Sequence, residues 1–213
     1  MNRAALPQLT RLAMMAAITL GAIEVCQSAS ELAVALNISE IEMPEPVIMG
    51  GDMLTQEQKD LARNASIAAF ESRKNTLETM GLWRSLILMA LAGTASLMFL
   101  ASLRLRWPDG FPRSASARLI GGAAFAAALF RTLDGAQSLV LTRREAAAAL
   151  KAYEHAPDFS AAEILAPLPT VLSIGITCAV VGGFLVIGHY FRSERVRDIF
   201  VTLDGHEPEP DDE

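Results

Sequence analysis

The stretch RLIGGAAFAAALFRTLDGAQSLVLTRR, residues Arg118–Arg144, is apolar and long enough to cross a bilayer, yet it holds Arg131 and Asp134 inside it. About 20 residues of helix span the ~30 Å of hydrocarbon. A charge at that depth costs roughly 2.5–3.5 kcal/mol on insertion scales, so both side chains are expected to face protein or trapped water. They stand three residues apart and share one helix face. Gln137 and Ser138 carry the polar strip one turn further. Gly122 with Ala126, and Ala123 with Ala127, give the small-xxx-small spacing that lets a second helix backbone come close. A packed helix with a satisfied ion pair and an ion or proton path need the same residue types, so both readings stay open here.

Three further apolar blocks flank this stretch, and the spans are placed at about 9–36, 82–104, 118–142 and 167–191. The chain has 213 residues, 52% of them hydrophobic and only 20% charged. That balance predicts an all-α integral membrane protein, a four-helix bundle with helical extensions on the outer side, forming one membrane domain. The net charge is −6, and much of the acid lies in the first long loop and in Glu207–Glu213. No basic patch interleaved with aromatics is present, which argues against a nucleic-acid partner. Cys26 and Cys178 fall at different depths and are expected as free thiols.

The first block follows Arg3 and Arg11 and also reads as a signal peptide with a cleavage point near Ser30. Helical periodicity running on through Leu32, Val34 and Leu36 favours a retained span. Glu24 lies thirteen residues after Arg11, as Arg131 lies thirteen after Arg118, a height of about 20 Å at 1.5 Å per residue. If the first and third helices run the same way, Glu24 and Arg131 meet; otherwise Arg131 takes Asp134 within its own helix. Ser173 and Thr177 of the fourth span reach about the same level, so the expected intramembrane polar layer is Glu24, Arg131, Asp134, Gln137 and Thr177.

Residues 37–81 are read as an outer loop and helix. Thr55-Gln-Glu-Gln58 has capping-box spacing, and no proline follows until Pro108, so one long helix is predicted from about Thr55 to Trp107. Gly81 and Gly93 are its candidate bend points. Trp83 and Trp107 are assigned as interfacial anchors at opposite ends of the second span, and His189 as one near the inner end of the fourth. The outer segment 143–166 extends the third helix through EAAAALKAYEH, ends at Pro157 and restarts at the second capping box, Ser160–Glu163. After Arg192 the fourth helix is expected to run on to about Leu203, ahead of a disordered acidic end, and 192–213 is the tail. Arg104, Arg106, Arg113 and Arg118 crowd one short loop. By the positive-inside rule that loop and both termini are cytoplasmic, although Arg84, Arg143, Arg144 and Lys151 place cations on the outer side too.

No catalytic signature emerges. Only one of the three histidines lies in a span, so two axial haem ligands are lacking, and no metal-ligand spacing, phosphate-cradling glycine loop or nucleophile elbow occurs. Neither catalytic residues nor a cofactor or metal is assigned. The expectation is a non-enzymatic structural, scaffolding or accessory subunit of a membrane complex, with the lipid bilayer and a protein held by the outer helices as partners. A small ion- or proton-coupled transporter or channel using Glu24, Arg131 and Asp134 is the alternative, and a membrane sensor with an outer loop is the third. Heavy alanine and arginine usage suggests a bacterial inner membrane.

Overall fold

A computed structural model describes residues 7–38, 40, 43, 55–106, 112–154 and 167–205. These residues form α1 (Gln8–Leu36), α2 (Gln56–Arg106), α3 (Arg113–Tyr153), α4 (Leu168–Arg192) and α5 (Glu194–Leu203), with no strand among them. The first four are long and apolar enough to cross a membrane. Trp107, the Ser160–Glu163 capping box and the acidic end lie outside the described residues.

Local chemistry accounts for the helix ends. The amide of Thr55 donates to Gln58 Oε1 at 3.0 Å while the amide of Gln58 donates to Thr55 Oγ1 at 3.3 Å. This reciprocal box opens α2, whose 51 residues continue through Gly81 and Gly93 for about 77 Å. The alanine-rich extension carries α3 to Tyr153. In α4, Pro169 sits in the first turn, where its missing N–H has no intrahelical acceptor to lose.

The fourth helix does not run unbroken to Leu203. Ser193 adopts extended backbone angles (φ −65°, ψ 141°), and its hydroxyl donates to the Tyr190 carbonyl at 2.8 Å, which draws the chain out of the helical ladder. The redirected α5 then buries Val196 and Phe200. Its last turn is fastened by Asp204, whose carboxylate oxygens accept the amides of Arg113 at 2.9 Å and Ser114 at 3.0 Å. A carboxylate there meets the positive end of the α3 dipole as well as two amides without helical acceptors.

Burial raises the Asp204 pKa, but the Ser114 and Arg113 amides outweigh it and hold the group below its usual 3.8. A depressed carboxylate stabilises the fold above its unfolded pKa and loses that contribution as pH falls through the folded value. Acidification below 3.8 is therefore expected to lower the protection of amides in the first turn of α3 and in α5, read as exchange relative to the intrinsic rate at each pH. Asp204→Asn should show the lower protection already at neutral pH, measured by hydrogen exchange with mass spectrometry.

The chain divides into two compact units. Unit 1 comprises Met1–Ser30, Ile87–Thr132 and Cys178–Glu213. Its core gathers Ala17, Leu91, Met98, Ala124, Ala127, Phe184 and Phe200, together with Leu105, Ile120 and Phe191. Small residues set its helix contacts. A Cβ on Gly21 would stand 3.2 Å from the Ala95 carbonyl oxygen, and one on Gly188 would stand 3.2 Å from the Phe125 ring. Of the glycine pair in α3, Gly121 is the one in close contact, while Gly122 has open space around it. The Ala123 and Ala127 stripe is buried as its spacing suggested.

Thr10 and Tyr190 share a hydrogen bond of 2.9 Å between α1 and α4. Overpacking a tight helix crossing costs about 1–3 kcal/mol. Gly21→Leu is accordingly expected to lower the melting temperature in detergent, whereas Gly93→Ala, with nothing within 4 Å, should leave it unchanged or raised.

Unit 2 comprises Glu31–Leu86 and Leu133–Thr177. Here the first part of α2 lies along the last part of α3, tied by Arg73–Glu145 at 3.6 Å and by Arg144 donating to Thr76 Oγ1 at 3.5 Å. Burial raises the Glu145 pKa above 4.5 against the pull of Arg73. A Cβ on Gly135 would clash with the Thr177 methyl, so α4 meets α3 there across a bare backbone.

Candidate functional site

Two sets of buried charges stand out, one in each unit. In unit 1 Arg131 Nη1 lies 3.3 Å from Glu24 Oε1, with 7% and 1% of the two side chains exposed. α1 and α3 thus bring together the two residues whose distances from Arg11 and Arg118 match. Ser28 follows Glu24 by one turn and is buried, and its Oγ finds no hydrogen-bond partner.

In unit 2 Arg84 is the centre of a triad. Its Nη1 lies 3.3 Å from Asp134 Oδ1, and its Nη2 donates to Glu31 Oε2 and, at 3.5 Å, to Ser138 Oγ. A guanidinium is suited to this, because its planar fork can serve two carboxylates at once. Asp134 is 1% exposed and Glu31 is 31% exposed, so the aspartate is the member that water reaches least. Gln137, one turn beyond Asp134, buries an Oε1 that has no hydrogen-bond partner.

Arg84 and Glu31 are the residues that sequence reasoning missed. Following Trp83 at the start of the second span, Arg84 reads in sequence as one of the outer cations. The structure buries it to 5% exposure, while Trp83 beside it is 70% exposed. A usable signal exists in the helical spacing, since Arg84, Leu88, Leu91, Ala95 and Met98 form one continuous buried face. Glu31 lies seven residues after Glu24 on the same side of α1 and can be found the same way.

Thr177 is half-buried and packs its methyl group on Gly135, beside Asp134 in sequence. His189 is exposed. Trp107 lies outside the described residues. Cys26 and Cys178 are free and exposed. Among the described residues no group of three His, Cys, Asp or Glu side chains could hold a metal ion.

The arrangement is suited to holding helices in register. Each guanidinium serves a carboxylate on another helix, which fixes both the height and the rotation of the helices it joins. Its chemical capacity beyond that lies in the carboxylates themselves and in the buried polar atoms of Ser28 and Gln137. Comparison of the chain with protein-family models, curated proteins and solved structures gives no match. Fold and hydropathy define the class: an all-α protein with four helices long and apolar enough to span a membrane.

Proposed function

We propose that the protein is a non-enzymatic structural or accessory subunit of a membrane complex, its first three spans fixed to one another by buried ion pairs and its protruding helices presented to a protein partner. The observation that carries this reading is the cross-helix pairing of Arg131 with Glu24 and of Arg84 with both Glu31 and Asp134. Charges engaged with one another lock helices, whereas a conduction path needs groups that exchange partners freely. The extension of α2 ahead of its span adds a surface. Glu57, Asp60, Asn64, Glu71, Asn75 and Glu78 recur at helical spacing and are all exposed, giving the partner a polar, mainly acidic face.

Arginines at the ends of α2, α3 and α4 support placing both termini in the cytoplasm, with the α2 extension on the far side of a bacterial inner membrane. Photocrosslinkers at Glu71 and Glu78 test the role. A single stoichiometric protein adduct from those positions, absent from lipid-facing Leu97, is the expected result. No adduct from the extension, together with ion flux in proteoliposomes, would overturn it.

The small ion- or proton-coupled transporter remains the second reading because of one observation. Ser28 Oγ and Gln137 Oε1 are buried without hydrogen bonds, and such atoms are commonly served by water or ions. Flux through reconstituted protein that disappears in Asp134→Asn or Glu24→Gln would favour it.

A further inference from the structure

We propose that Arg118 and Arg192, on adjoining faces of α3 and α4 in unit 1, form a seat for the phosphate of an anionic phospholipid. Both arginines are exposed. Arg192 is not a loose surface cation. Its stem crosses α3 at Gly121, where an added Cβ would stand 2.9 Å from Arg192 Cγ and 3.3 Å from the Gly188 carbonyl oxygen. The guanidinium carbon then rests 5.8 Å from the centroid of the Phe125 ring. Arg118 precedes Gly121 by three residues, so it projects from the same side of α3 one turn nearer the helix start.

A guanidinium held by its stem has already lost most of the freedom that binding would take from it. Its fork matches two phosphate oxygens, a geometry that an ammonium lacks. At the edge of the hydrocarbon the anion present in quantity is the lipid headgroup, and each arginine near an anionic leaflet strengthens attachment about fivefold. The Asp204 carboxylate, at this same end of α3, is already engaged by the Arg113 and Ser114 amides. The acidic members of α5, Glu194 and Asp198, lie beyond the break at Ser193.

The inference rests on the four-span reading, and the test separates the two. Full-length protein purified in mild detergent is mixed with phosphatidylglycerol or phosphatidylcholine, and retained lipids are counted by native mass spectrometry. Phosphatidylglycerol should be retained in preference, with a loss of about fivefold in Arg118→Gln or Arg192→Gln and a larger loss in the double variant. Gly121→Leu, which keeps both charges but displaces the Arg192 stem, should lose retention as well. Arg63→Gln, on the exposed part of α2, should not.

Equal retention of the two lipids, or wild-type retention by the double variant, overturns the proposal. So does displacement of phosphatidylglycerol by an equal concentration of inorganic phosphate, which would mark a free-anion site. Should Gly121→Leu fail to fold, the double variant and Arg63→Gln still decide. Failure of the protein to float with liposomes would sink the four-span reading, whereas floating protein without a lipid preference sinks this inference alone.

Discussion

Arg131→Ala is expected to abolish recovery of monodisperse protein from detergent, and Glu24→Ala in the same chain is expected to restore much of it. Removing the guanidinium takes the cation at 3.3 Å away from Glu24, a carboxylate only 1% exposed. Stranding a buried charge in this way costs about 3–5 kcal/mol, a large part of what a domain of this size has to lose. Removing both partners deletes the stranded charge and leaves only the packing defect, so the double variant should melt above the single one. Asp134→Ala should give no such rescue, because its carboxylate is held by Arg84. Size-exclusion profiles and melting temperatures of the four proteins, wild type included, check the cycle. Equal loss in the single and double variants would show that Glu24 and Arg131 do not act as a pair.

Arg84→Leu should be at least as damaging, because one substitution takes the cation from two carboxylates. The members of the triad are not equivalent. Glu31 retains 31% exposure and can recruit water, whereas Asp134 at 1% cannot, so most of the loss is assigned to the aspartate. Adding Asp134→Leu to Arg84→Leu should therefore recover more folded protein than adding Glu31→Gln. Arg84→Lys should fall between wild type and Arg84→Leu, since an ammonium keeps the charge but cannot serve both carboxylates with a planar fork. Thermal melting in detergent separates these outcomes, and an Arg84→Lys variant as stable as wild type would remove the case for two-carboxylate bridging.

The residues behind these two expectations differ in how legible they are in the sequence. Rise per residue gives height along a helix, so Glu24 and Arg131, each thirteen residues from a flanking arginine, can be set level from the sequence alone. Height does not say which way a side chain points. Arg84 stands at a height where a cation beside a tryptophan ordinarily faces headgroups, and only its position on the face of Leu88, Leu91 and Ala95 turns it inward. The Thr55 box and the long α2 are legible because the signals are local. The break at Ser193 is not, because it depends on where Val196 and Phe200 find a core. Likewise the contact at Gly121 rather than Gly122 reflects helix rotation, which two adjacent glycines leave undecided.

The fastening of α3 by Asp204 also bears on the order in which the molecule is made. The amides of Arg113 and Ser114 emerge from the ribosome 91 and 90 residues before the carboxylate that accepts them. At roughly 5–20 residues per second, that interval is about 5–20 s. Over that period α3 has to hold its register without its own cap, and a nascent chain released anywhere short of residue 204 never acquires it.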